Sequence, residues 1–183
     1  HLELSAILTR AVRLAGLSFR YSEGFHPHPR LSFAWATSVG MESREEYADI
    51  EIIDPGLDRD PLRDAVNRRL PSGVAVLDVA AIDPAAPSRA EAIRGFRYEL
   101  TLPEETSEED IAPIPGRIAA FLEASAFPVV REGKGKTQVK DIRPYVVALD
   151  WTPEARRLTA TVRFDPQGGV RPAELLSRVL DLP

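Results

Sequence analysis

The sequence predicts an α+β fold of two tandem ferredoxin-like lobes, clipped at both ends so that the first strand of lobe 1 and the last strand of lobe 2 are missing. Three observations predict it. Helical and strand periodicities alternate along the chain. A stretch rich in proline and alanine, Asp83-Pro84-Ala85-Ala86-Pro87-Ser88, interrupts them near the middle. The halves on either side resemble each other in element order and in motif. The expected boundaries are lobe 1 over residues 1–83, a linker over 84–94 and lobe 2 over 95–183.

In lobe 1, Leu4, Ile7, Leu8, Ala11, Val12, Leu14 and Ala15 recur at helical spacing, and Gly16 supplies a stop. The chain starts with His1, already inside this helical pattern, which fits a fragment. A short apolar piece, Leu17 to Tyr21, precedes the segment Glu23 to Pro29, whose prolines exclude helix interior. Leu31 to Val39 reads as a strand. Tyr47 to Ile53 alternates polar Tyr47, Asp49 and Glu51 with apolar Ala48, Ile50 and Ile52, a second strand. Asp54-Pro55-Gly56 is a turn. Pro61 to Leu70 is helical and Val74 to Val79 is a strand.

Lobe 2 opens with a strand over Phe96 to Leu102. A polar acidic loop leads to a helix over Ile114 to Ala124, with Ile118, Phe121 and Leu122 inward. A short strand follows at Phe127 to Arg131, then a Gly–Lys turn over Glu132 to Lys136. Tyr145 to Trp151 and Leu158 to Phe164 form a strand pair, and Pro172 to Leu182 closes as a helix. Trp35 and Trp151 fall in strand patterns and read as packing residues. The order is α-β-β-α-β in the first half and β-α-β-β-α in the second, each one strand short of the β-α-β-β-α-β unit. The motifs repeat too: Phe19-Arg20-Tyr21-Ser22-Glu23-Gly24 against Val129-Val130-Arg131-Glu132-Gly133, each followed by a basic, proline-containing stretch.

Composition narrows the function. The 183 residues are 44% hydrophobic and 28% charged, ordinary for a folded domain. No apolar run reaches the roughly 20 residues needed to span a bilayer, so no membrane is expected. There is no cysteine, which removes disulfides, thiolate metal sites and cysteine-held iron–sulfur clusters. With no signal-peptide pattern either, a cytoplasmic location is expected. The net charge of −5 argues against a protein that coats nucleic acid indiscriminately, while leaving room for a local basic surface.

All three histidines, His1, His26 and His28, lie within the first 28 residues. In an extended segment, His26-x-His28 places both rings on one side. With a carboxylate such as Glu23 or Glu42 they are the candidate metal ligands, and they are also the candidate acid–base residues of an RNA-processing enzyme. Ser22 and Ser32 lack a nucleophile context. Gly133-Lys134-Gly135-Lys136-Thr137 departs from the phosphate-loop pattern. The reading preferred here is ligand binding: Arg20, Tyr21, His26, His28 and Arg30 combine cationic forks with flat rings suited to phosphates and unpaired bases. Lys134, Lys136, Lys140 and Arg143 are the expected counterpart in lobe 2.

The opening His1-Leu2-Glu3, Arg10-Ala11, Arg13-Leu14-Ala15-Gly16-Leu17, the segment YSEGFHPHPRLSF from Tyr21 to Phe33, and Gly40-Met41-Glu42-Ser43 through Glu46-Tyr47 resemble the radical-SAM-linked protein family. This is a bacterial family of unknown function whose members lie beside, or are fused to the C-terminal side of, a radical S-adenosylmethionine protein. Glu3 stands where the family typically has Asp. The resemblance implies a partner, in trans or fused, that carries the iron–sulfur cluster and S-adenosylmethionine, with no cofactor in this chain. The expected function is a non-catalytic accessory or substrate-recognition domain, with RNA as the candidate substrate. The alternatives are a stand-alone RNA-processing enzyme and a structural interaction module.

Overall fold

The computed structural model describes residues 2–182, apart from 36, 38, 39, 54, 55, 57, 84, 88, 134, 166 and 167, and at 136 the backbone alone. The architecture is mixed α and β, with several small antiparallel sheets. The chain divides into two compact units, His1–Ile93 and Arg94–Pro183.

In the first unit, α1 (Leu2–Leu14) buries Leu8, Ala11 and Val12. It ends where Gly16 takes φ +82°, and the Leu17 N–H turns back to the Val12 carbonyl at 3.2 Å. Four short strands follow: β1 (Ser18–Phe19), β2 (Leu31–Phe33), β3 (Ala48–Ile50) and β4 (Ile52–Ile53). β1 pairs with β4 and β2 with β3, both antiparallel. The expected strand from Leu31 to Val39 therefore shows its ladder at residues 31–33, and Ala36, Ser38 and Val39 lie outside the described residues, as do Asp54 and Pro55 of the expected turn. Helix α2 (Arg59–Asn67) contributes Val66 to the core. With it pack Leu8, Ala11, Val12, Leu17 and Phe19, and around them the half-buried Leu31, Phe33, Ile50, Ile52, Leu62, Leu70 and Val76.

Val74 to Val79 does not form the expected strand. The chain runs on without a ladder partner among the described residues. A side chain takes the partner's place at one position: the Asn67 amide accepts from Val76 N–H at 2.8 Å and donates to Val76 C=O at 2.9 Å. The alternation that suggested a strand reports apolar contact on one side, and a strand needs a neighbouring backbone as well.

In the second unit, β5 (Gly95–Thr101), β8 (Val146–Thr152) and β9 (Arg157–Arg163) form a sheet in the order β5-β9-β8. Both outer strands are antiparallel to β9, so β5 and β8 run in the same direction. Gly95 opens the sheet against Arg163, and a Cβ there would stand 2.2 Å from the Val162 carbonyl oxygen. A turn of helix, α4 (Glu108–Ile111), is capped by the Ser107 side chain, which accepts from Asp110 N–H; the acidic loop expected there hid this Ser-x-x-Asp cap. Helix α5 (Ile114–Glu123) buries Ile114, Ile118 and Phe121.

The hairpin β6 (Pro128–Gly133) and β7 (Lys136–Asp141) is longer than expected, because residues 136–141 pair as a strand. Likewise the expected linker contains a helical turn, α3 (Arg89–Ala92). The closing helix is shorter than expected: α6 (Pro172–Glu174) runs into one wide turn that returns Leu180 N–H to the Leu175 carbonyl. Leu158, Ala160, Ile142, Leu175 and Leu180 are fully buried at the centre of this unit. Trp151 packs against that core, whereas Trp35 is 42% exposed. Among the described residues, no helix is long and apolar enough to cross a membrane.

Candidate functional site

Three strands meet at one point in the first unit. β1 runs on to a bridge between Tyr21 and Pro29, and the β3–β4 strand is interrupted at Glu51. There the backbone closes a ring of three hydrogen bonds: Arg20 N–H to Glu51 C=O (2.8 Å), Glu51 N–H to Arg30 C=O (3.0 Å) and Arg30 N–H to Arg20 C=O (2.8 Å). Phe19 points into the core, and strand alternation sends Arg20 outward. The Glu51 carboxylate accepts from Arg30 Nη1 at 3.0 Å and lies 3.7 Å from Arg20 Nε. Two guanidiniums thus share one carboxylate, leaving a net positive charge with unused donors on both forks. The side chains are 45–66% exposed, so this triad adds little stability. Its effect is to fix where the arginines stand.

The segment above the junction is a closed loop. Ser22 N–H donates to the His28 carbonyl at 2.9 Å, and His28 N–H donates to Ser22 Oγ at 3.1 Å. Ser22 Oγ also lies 2.9 Å from His28 Nδ1. Nδ1 also lies 3.4 Å from the His26 carbonyl oxygen, so the ring nitrogen has a partner in either tautomer. Gly24 takes φ +116° to turn the tip, where Phe25 stands fully exposed. His26 is exposed beside it. Tyr21 is held from below: Arg13 Nη2 donates to its hydroxyl at 2.7 Å, and the guanidinium lies 5.9 Å from the ring centroid. Between α1 and Pro29 runs an open groove of about 460 Å³, lined by Ala6, Thr9, Arg10, Arg13, Leu14 and Pro29.

The structure therefore gathers Arg20, Tyr21, His28 and Arg30 around one loop and junction. Sequence reading missed Glu51, which organises them, and Arg13, which holds Tyr21. Glu51 was already on the polar side of the Tyr47–Ile53 alternation, but its meeting with Arg30 depends on strand register. Among the described residues, no three His, Asp or Glu side chains gather as a metal site, and His1 lies outside those residues.

The counterpart residues in the second unit are disposed differently. Arg143 donates to the carbonyls of Val146 (2.9 Å) and Leu122 (2.8 Å) and lies over the Phe121 ring. Its neighbour in the basic run, Arg131, grips both oxygens of Glu174 at 2.6 and 2.8 Å and donates to the Gly169 carbonyl. Burial works against the Glu174 charge, but the Arg131 fork and the Arg171 N–H outweigh it and hold the carboxyl below the ordinary range. The same hydrogen bonds raise Arg131. Lys140 is half-buried, with its Cε where a side chain at Gly168 would go. Lys134 and the side chain of Lys136 lie outside the described residues.

Residues 1–172 match DUF2344, a family described as an uncharacterized protein conserved in bacteria. The chain belongs to this family. The match takes in α1, the arginine junction and loop, and the second unit as far as the start of α6. No curated protein and no solved structure matches the chain. Family membership assigns no activity, and the functional reading rests on the chemistry of the junction.

Proposed function

We propose that this protein is a non-catalytic substrate-recognition domain that acts with a radical S-adenosylmethionine protein and holds RNA through the Arg20–Glu51–Arg30 junction. The observation that carries the reading is one carboxylate shared by two exposed arginines. Their remaining N–H donors suit the oxygens of a phosphate, and the proline-stiffened loop above loses little entropy on binding. The partner would hold the iron–sulfur cluster and S-adenosylmethionine, since a chain without cysteine has no thiolate for a cluster. The resemblance of Tyr21 to Tyr47 to the radical-SAM-linked family supports that partner. Two ferredoxin-like lobes are the fold in this reading. The β5-β9-β8 order, with β5 and β8 parallel, supports it for the second unit, where β6–β7 would be an inserted hairpin.

The test is RNA binding by the purified chain, repeated at increasing salt, together with co-purification of a radical S-adenosylmethionine protein. Arg20→Glu with Arg30→Glu should weaken RNA binding at least tenfold and flatten its salt dependence. Unchanged affinity overturns the reading. The Ser22–His28 bond favours one other, RNA cleavage by histidine acid–base chemistry. That reading requires turnover by the chain alone, lost in His28→Ala.

A further inference from the structure

We infer that Phe25 is a base-stacking platform, so that the surface selects unpaired over paired RNA. This rests on the reading of the arginine junction as the phosphate-holding centre and adds the form of RNA it takes.

Phe25 is 102% exposed, more than any other large apolar residue among those described. Burial is what normally stabilises a phenylalanine in a fold, and this ring gains none of it in the folded unit. The loop that carries it is nevertheless well held. Ser22 and His28 latch its ends through one backbone hydrogen bond, one from the His28 N–H to Ser22 Oγ and one between side chains, and Pro27 and Pro29 restrict the return strand. The ring is therefore presented at a fixed place with both faces open.

Its surroundings decide what it is presented to. A protein-docking anchor usually sits within a rim of further contacts that exclude water. Phe25 has Gly24, His26 and Pro27 as exposed neighbours, and the base of its loop is cationic, with Arg20, Arg30 and Arg13. Flat aromatic faces beside arginine forks fit single-stranded nucleic acid, where every base offers a π-face and every linkage a negative charge. Reach is adequate. Phe25 is three positions from each latch residue, at most about 10 Å of chain, so one strand can touch both the junction and the ring. In a duplex the base faces are already stacked, and an exposed ring finds none to cover.

The experiment compares three probes on the full chain: a short single-stranded RNA, its duplex, and inorganic polyphosphate. The wild type should prefer the single strand. Phe25→Ala should lower single-strand affinity about tenfold, the scale of one stacked base, and leave duplex and polyphosphate binding unchanged. Phe25→Trp should retain the preference. If Phe25→Ala binds single strand as the wild type does, or weakens all three probes equally, the stacking role is overturned while the junction stands or falls on its own arginine variants. If the wild type binds none of the three, both readings fall. If Phe25→Ala leaves RNA binding intact and abolishes capture of the radical S-adenosylmethionine protein, the ring is a protein anchor and this inference is wrong.

Discussion

The two units use the same side chain in opposite ways. In the first, Arg20 and Arg30 flank short strands at a junction whose backbone groups already bond one another, so among the described residues their guanidiniums meet Glu51 alone. In the second, arginines reach carbonyls left where regular structure stops. Arg143 caps the carbonyls of Val146 and Leu122, Arg131 reaches the Gly169 carbonyl, and Arg156 reaches those of Glu104 and Thr106. Chain ends and irregular loops leave carbonyls without partners, and an arginine fork satisfies two at once. A basic run in a sequence thus becomes a ligand surface only where the backbone around it is already complete.

The comparison predicts a hierarchy of effects. The largest belongs to the Arg131–Glu174 pair, whose side chains are 19% and 13% exposed: removing either partner leaves a charge with little water to replace it. Arg131→Ala or Glu174→Ala should cost about 3 kcal/mol in denaturant unfolding. The same pair sets a pH dependence. Glu174 has a folded value below its ordinary 4.5, so its contribution is complete above pH 4.5 and lost as pH falls through the lowered value. Acid unfolding followed by circular dichroism should be shallower over that window in Glu174→Gln.

Arg143→Ala should come next, at about 2 kcal/mol, the cost of leaving two carbonyls unmet. Arg20→Glu with Arg30→Glu should alter unfolding by no more than about 0.5 kcal/mol while weakening the proposed RNA binding at least tenfold, since exposed residues rarely contribute more to stability. A large loss of stability there would erase the contrast between the units. Ser22→Ala should be as small, within about 0.5 kcal/mol because its bonds are exposed to water, and should release the His28 ring, visible as a change in its proton exchange by NMR.

Much of this was legible in the sequence. The apolar stripe of α1, the Gly16 stop and the strands β5, β8 and β9 follow from periodicity, because each element buries one side. Strand β7 was not legible. Lys136–Asp141 has a single large apolar residue, Val139, itself 69% exposed, so that strand owes its existence to pairing with β6 and not to burial. The reverse holds at Val74 to Val79, where a strand-like pattern has no ladder partner among the described residues. At the site, the cations were visible as residues, but Glu51 became their organiser only through register. Arg143 showed its charge in the sequence while concealing the carbonyls it serves.

Asn67 has one more consequence. The segment after α2 belongs to no ladder among the described residues and carries Leu77 and Ile82 at 67% and 43% exposure. Backbone left without a ladder beside exposed apolar side chains is a template onto which a second chain can zip, the first step of aggregation. By occupying both the donor and the acceptor of Val76, the Asn67 amide blocks the rung on which that zipper would start. Its removal should show less in folding stability than in shelf life, as light scattering that grows with protein concentration.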